Sequence, residues 1–336
     1  MTSPTDDPTV GELSEGQILR RILSRVVAVD GVEVGPGDDA AVLAAPGGSV
    51  VATTDTLVHG PDFRLAWSSG YDLGWKAAAV NLADIAAMGA RPTALLVALA
   101  MPNDTRASFV EQLADGLRAA CDELAPGSGV VGGDLTVSDT LTIAVTALGS
   151  LDGRPPVLRS GARSGDVVAV AGELGVAARG LDVLFRVFID AAGAPVPVEP
   201  DAVADLPDAG DVQGLERQLR PHPPIALGAA AAVAGATAMM DVSDGLVLDA
   251  TRMAEASDVT IDLDPALLGT DPRRALHGGE DHALLATFRA GSDLPDGFRR
   301  IGAVHPRRDA PVLVDGTPFE GRGGWDPYRD WDDRRG

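Results

Sequence analysis

Apolar residues at Leu19, Ile22, Leu23 and Val26 recur at three- and four-residue spacing, which predicts a helix within 12–27. A Gly-rich turn, Gly35-Pro36-Gly37-Asp38-Asp39, separates it from a strand-like run over 49–54. The helical period returns over 71–88 and 106–124, and compact apolar runs at 93–100 and 141–148 predict strands between and after them. Asp152-Gly153-Arg154-Pro155-Pro156 breaks the pattern. A strand over 166–171 and helices over 176–188 and 225–236 follow. Residues 191–213, rich in Pro, Asp and Ala without periodicity, read as a surface insertion or mobile loop. The alternation predicts two α/β units, 1–150 and 151–336.

Size and composition support that division, because 336 residues with 45% hydrophobic positions exceed the usual size of one core. Aromatics at 4% and 40 glycines point to a core of Ala, Val and Leu with many close backbone approaches. A formal net charge of −22 disfavours nucleic acid and anionic membrane surfaces as partners. The N-terminus shows no basic segment followed by an apolar one. The longest apolar stretch, 225–240, falls short of the roughly 20 residues a membrane-spanning helix needs and is expected to be a buried helix. A single cysteine, Cys121, excludes an intrachain disulfide and a thiolate-cluster metal site, and is expected in the core of an amphipathic helix. A cytoplasmic location is expected.

The informative residues are acids in apolar or glycine-rich contexts: Asp39, Asp55 after Thr53-Thr54, Asp134 after Gly132-Gly133, and Asp241 with Asp244. Any one of them could cap a helix or form a turn. Asp84 shares helical spacing with Leu73, Ala77, Val80 and Ala87, which sets a carboxylate on an apolar face. Such a group needs a cation, and the pattern leaves two sources open: a metal, or a salt bridge with Lys76, the chain's only lysine. Hard oxygen donors without His or Cys companions select Mg²⁺ or Ca²⁺ over zinc. Magnesium commonly accompanies phosphate. Neither a G-x-x-x-x-G-K-[ST] loop nor the protein-kinase H-R-D and D-F-G signatures occur.

Taken in order, these segments resemble the thiamine monophosphate kinase family, within the superfamily of aminoimidazole ribonucleotide synthetase. The resemblance runs through Gly11-Glu12-Leu13, Gly35 to Val42, Thr53 to Val58 and Asn81-Leu82-Ala83-Asp84-Ile85-Ala86-Ala87-Met88-Gly89-Ala90. It continues through Gly132-Gly133-Asp134, Arg159-Ser160-Gly161-Ala162, Asp241 to Leu246, Gly278-Gly279-Glu280-Asp281 and Gly324-Trp325-Asp326. The chain departs where the family reads T-D-T-L-V-E-G-V-H-F: here Asp62 takes the place of the His, and His59 lies three residues earlier.

The resemblance implies an α/β (α+β), two-domain fold like that of aminoimidazole ribonucleotide synthetase, with the N-terminal domain pairing across a homodimer and the C-terminal domain completing the site. It implies ATP-dependent phosphorylation of thiamine monophosphate to thiamine diphosphate, by direct in-line transfer assisted by several Mg²⁺ ions. Metal ligation is carried over to Asp39, Thr53, Thr54, Asp55, Asp84, Asp134, Asp241 and Asp244. ATP contacts are carried over to Gly133, Asp134, Arg159 and Ser243, and acceptor contacts to Asp62, Glu280 and Trp325. No general base or covalent nucleophile is expected, because the acceptor is already a charged phosphate monoester. Selenophosphate synthetase and the hydrogenase maturation protein share the acidic motifs but call for a reactive N-terminal or C-terminal cysteine, and here the one cysteine is interior. The remaining alternative is a non-catalytic binding module.

Overall fold

The computed structural model describes residues 7–27, 30–34, 42–45, 48–321 and 323–325. The first helix, α1 (Glu15–Leu23), leads into a small hairpin of β1 (Val32–Val34) and β2 (Val42–Leu43). Then come β3 (Val51–Val58), α2 (Gly70–Ala87), β4 (Arg91–Met101), α3 (Ala107–Leu124), β5 (Val130–Val137) and β6 (Thr142–Ser150). The strands β3 to β6 form one sheet in the order β3-β6-β4-β5, antiparallel except for the β4–β5 pair.

Beyond residues 151–166 lie β7 (Val167–Ala171), α4 (Val176–Val187), α5 (Pro200–Ala204), α6 (Ala209–Leu219) and α7 (Ile225–Val233). The chain continues through β8 (Ala238–Val242), α8 (Leu246–Ser257), β9 (Val259–Leu263), α9 (Pro272–His277), β10 (Ala283–Phe288), β11 (Phe298–Pro306), β12 (Val312–Val314) and β13 (Thr317–Pro318). A second sheet runs β13-β12-β9-β11-β7-β10-β8, with β9–β12 its parallel pair.

Helix α2 ties the two sheets together. Fifteen of its 18 residues are buried, so it has no polar face to speak of, and it packs on β3, β4 and β6 as well as on α7, β8 and β10. Its small residues allow this. An added Cβ at Gly74 would lie 2.0 Å from the Leu113 carbonyl, so α2 and α3 cross with their backbones nearly touching. Cys121 is buried on α3 as the sequence predicts, and burial pushes its thiol up to about 12.

Three segments differ from their sequence expectation. The apolar stretch 225–240 splits, because Gly235 turns left-handed (φ +83°) after α7 and frees the chain to enter β8. Residues 191–213 contain α5 and the start of α6, and α6 packs along α4. The buried face of α6 is Asp211, Gly214, Leu215 and Gln218, which carries no apolar period to detect; Asp211 is held there by Arg179 (2.7 Å) and Arg186 (2.5 Å). Gly132-Gly133-Asp134 lies inside β5 instead of at a turn, since a Cβ at Gly133 would lie 2.0 Å from the Val97 carbonyl on β4.

Candidate active site

The middle of β3, the C-terminal half of α2, the loop after β8 and the loop before β10 meet in one cleft. Thr53 and Asp55 alternate with Thr54 along β3, so the first two point toward α2 and the third points away. The Thr53 hydroxyl donates to Asp84 Oδ2 (2.8 Å), and the Asp55 backbone N–H donates to Asn81 Oδ1 (3.0 Å), one turn before Asp84 on α2. The Thr54 hydroxyl, on the opposite face of the sheet, donates instead to the Val145 backbone carbonyl (3.0 Å).

Burial, then the charges of Asp241 and Asp55, push the Asp84 carboxyl up to about 7. Asp55 is exposed as a residue, yet desolvation in the cleft and the nearby Asp241, Asp244 and Glu280 raise its carboxyl above the usual range, with His282 opposing them. Burial and neighbouring negative charge thus disfavour the ionised forms of Asp55 and Asp84, an arrangement that a multivalent cation relieves. Among the described residues no three His, Cys, Asp or Glu side chains already converge as a metal cage. The donor set of carboxylates and hydroxyls nonetheless suits Mg²⁺.

Lys76 does not serve Asp84. Its ammonium, with only 5% of the side chain exposed, pairs with Glu280. Desolvation opposes ionisation of Glu280, but Lys76 and His282 outweigh it and hold the carboxyl below its ordinary range. Glu280 (φ +70°) and His282 (φ +51°) both adopt left-handed backbone conformations, a cost concentrated in the loop 278–282 that shapes the cleft.

The residue the sequence reading missed most clearly is His282. It is buried, its Nδ1 lies 3.1 Å from Asp241 Oδ2, and its Nε2 has no hydrogen-bond partner. Burial alone would lower it, but Asp241, Glu280 and Asp84 push the imidazole up to about 9, so the cleft carries its own cation. The spacing of the five histidines gave no hint of this, because the partner acid lies 41 residues away.

Asp249 was also missed. Fully buried on the first turn of α8, it accepts the N–H groups of Ser243 (3.1 Å), Asp244 (3.1 Å) and Gly245 (3.2 Å) and an Arg252 N–H at 2.6 Å. It thereby shapes the turn carrying Ser243 and Asp244; burial pushes its carboxyl up to about 6. That turn in turn anchors both predicted acceptor residues of the C-terminal half. Ser243 accepts the Glu280 N–H (2.8 Å), and Asp244 accepts the Trp325 N–H (3.0 Å). The Asp244 side chain accepts from Arg252 at 2.7 Å.

Asp62 accepts the Val58 N–H (2.7 Å), closing the turn after β3, and burial raises its carboxyl with Glu280 adding to the effect. Asp281 is a structural neighbour of the site: it accepts the Gly175 and Ala177 N–H groups (2.5 and 2.7 Å) at the start of α4. Asp281→Ala would leave both donors unpaired, so its unfolding free energy is expected to drop by about 2–4 kcal/mol. Urea denaturation reads the change, and an unaltered midpoint would remove this role.

Thr54, on the other face of the sheet, Gly133 and Asp134 on β5, and Arg159 stand apart from the cleft, and Asp39 cannot be placed. Asp134 is exposed on β5, at the far edge of the first sheet. Arg159 is exposed between β6 and β7, and its guanidinium makes no ion pair among the described residues. Asp39 lies outside the described residues.

The family profile described as AIR synthase related protein, N-terminal domain, matches residues 37–151. Over 347 residues the chain is 42% identical to the thiamine-monophosphate kinase of Mycobacterium tuberculosis, spanning 98% of this chain and 96% of that protein. The structure is similar to that of thiamine-monophosphate kinase from Stenotrophomonas maltophilia K279a, with a TM-score of 0.74 and 33% identity over 91% of this chain and 98% of that one. It is also similar to AaThiL complexed with AMPPCP and TMP, with a TM-score of 0.72 and 30% identity over 93% of this chain and 97% of that one.

Proposed function

The chain belongs to the thiamine-monophosphate kinase family, and from that premise we propose that it phosphorylates thiamine monophosphate with ATP by direct in-line transfer, assisted by several Mg²⁺ ions. The observation that carries this reading is the convergence of Asp55, Asp84 and Asp241 from three elements, tied in by Thr53, Asn81 and His282, where burial and neighbouring acids raise the Asp55 and Asp84 carboxyls.

The acceptor oxygen belongs to a phosphate monoester with a charge of about −1.5 to −2, so it needs no general base. The barrier is repulsion between two anions and their alignment. Bound Mg²⁺ would supply the positive charge that screens that repulsion. Thr53, Thr54, Asp55, Asp84, Asp241 and Asp244, with Asp39 and Asp134, supply the oxygens that would hold the metal. Gly133, Asp134, Arg159 and Ser243 would hold ATP, Arg159 through a planar fork of donors on phosphate. Asp62, Glu280 and Trp325 would take the acceptor, the indole and the carboxylate facing the cationic thiazolium. Lys76 orients Glu280 for that contact.

Residues 1–150 form the ATP, metal and dimerisation unit in this reading, and 151–336 close the other wall. The homodimer would pair the first sheets, and the enzyme would work in the cytoplasm without membrane or nucleic-acid partners. No helix among the described residues is long and apolar enough to cross a membrane.

Incubation with MgATP and either thiamine monophosphate or free thiamine tests the reaction. Thiamine diphosphate is expected from the monophosphate alone; ATP binding without product from either acceptor would leave a binding module instead.

A further inference from the structure

Hard oxygen donors leave both Mg²⁺ and Ca²⁺ open as occupants of the cleft. The bonds around the loop after β8 separate the two. Asp241 and Asp244 each have one carboxylate oxygen already engaged by a side chain of this protein. Asp241 Oδ2 lies 3.1 Å from His282 Nδ1, and Asp244 Oδ2 accepts from Arg252 Nη1 at 2.7 Å. The other oxygen of each, Oδ1, accepts no hydrogen bond among the described residues. An ionised carboxylate only accepts, so the His282 nitrogen that faces Asp241 is one that carries a proton.

Neither neighbour is free to swing away. His282 follows Asp281, whose carboxylate accepts the Gly175 and Ala177 N–H groups at the start of α4. The His282 N–H donates to the Val242 carbonyl (3.2 Å), one residue after Asp241, and the pairing of Leu284 with Asp241 keeps β10 and β8 in register. Arg252 is fixed by Asp249, fully buried on α8, which accepts from the same Nη1 at 2.6 Å and also holds the N–H groups of Ser243, Asp244 and Gly245. Each holder is thus locked by a second acid that lies outside the proposed metal set.

The two cations differ in what they ask of a carboxylate. Mg²⁺ demands a near-octahedral shell at about 2.0–2.1 Å, and is met by single oxygens from one or two carboxylates together with water and substrate oxygens. Ca²⁺ takes roughly six to eight oxygens at about 2.3–2.6 Å and readily uses both oxygens of one carboxylate. With Oδ2 engaged, chelation through both oxygens of Asp244 would set a dication against the Arg252 guanidinium, and at Asp241 it would require the His282 bond to break.

We infer that His282 and Arg252 are positioning residues that hold Asp241 and Asp244 to one free oxygen apiece and thereby favour Mg²⁺ over Ca²⁺. This rests on the proposed kinase reading, which assigns both acids to the metal. His282 and Arg252 act through those acids, as hydrogen-bond partners of metal ligands commonly do.

Calorimetry of the whole chain with Mg²⁺ or Ca²⁺, in the presence of a non-hydrolysable ATP analogue and corrected for metal binding by the analogue alone, tests the inference. Wild type is expected to bind Mg²⁺ more tightly than Ca²⁺. His282→Ala and Arg252→Met free the second oxygen, and each is expected to lower that preference by about tenfold or more. His282→Asn and Arg252→Lys keep a donor, and Asn tolerates the left-handed backbone at 282 (φ +51°), so both should retain most of the wild-type preference. Should the metal-free melting curve show that His282→Ala does not fold, Arg252→Met decides alone, because its side chain reaches the surface. A purely structural role would weaken both metals equally. An unchanged preference in the donor-deleting variants would therefore overturn the inference and leave the kinase reading intact, as would a wild type that binds Ca²⁺ as tightly as Mg²⁺. A wild type that binds neither metal beyond the analogue alone would instead overturn the metal assignment on which the inference rests.

Discussion

Asp84→Asn is expected to lower kcat by about a thousandfold or more while leaving the fold intact. The substitution keeps the shape of the side chain and its capacity to accept from the Thr53 hydroxyl, and removes only the charge. A ligand charge on a metal that neutralises transferring phosphoryl oxygens is worth several kcal/mol, and about 4 kcal/mol corresponds to a thousandfold. Stability moves the other way. In metal-free protein the Asp84 charge is opposed by burial and by Asp241 and Asp55, so the amide relieves a repulsion. The metal-free variant should melt no lower than wild type, and Mg²⁺ should stabilise it less. Wild-type turnover in this variant would remove Asp84 from the metal set, and a collapsed melting curve would mean that the side chain is structural.

The second large effect concerns Lys76 and Glu280, where exposure decides which partner is costlier to lose. The Lys76 side chain is 5% exposed and that of Glu280 is 43% exposed. Glu280→Ala leaves a buried ammonium without its counter-charge, which is expected to cost about 3 kcal/mol. Lys76→Met leaves a carboxylate that water can reach, and should cost about 1 kcal/mol. The double variant Lys76→Met/Glu280→Gln should return to within about 1 kcal/mol of wild type, because no unpaired buried charge remains and the partly exposed Gln amide can reach water. Function should not return with it. In the proposed reading Glu280 faces the acceptor, so each variant that alters it should raise the KM for thiamine monophosphate by about tenfold or more, leaving the KM for ATP nearly unchanged. Equal costs for the two single variants would contradict the asymmetry, and a recovered KM in the double variant would make the pair structural only.

Much of the architecture follows from residue patterns near one another in the chain. The periodicities of α1, α2, α3 and α4, the apolar runs of β3, β4, β6 and β7, and the break at 152–156 are all local signals, set by which side chains must leave water. Helix α6 escaped because its buried face is polar and small, its acid neutralised by arginines on α4. β5 escaped because its glycines look like a turn, and only the approach of the Val97 carbonyl explains them.

The acids of the site were legible as a class, since a carboxylate in an apolar or glycine-rich context needs a compensating cation wherever it falls. Their partners were not. Sequence spacing set Lys76 on the helix that carries Asp84, yet its charge is spent on Glu280, 204 residues further on. His282 and Asp241 meet only because β10 and β8 are neighbours in the second sheet. Asp134 looks like one more member of the acidic set until strand order and register send it to the other edge and the other face. Residue chemistry, which each side chain carries by itself, was thus determined by the sequence. Only the tertiary structure decided which charges lie within a few ångströms of each other, because electrostatic coupling depends on distance and burial and not on separation along the chain.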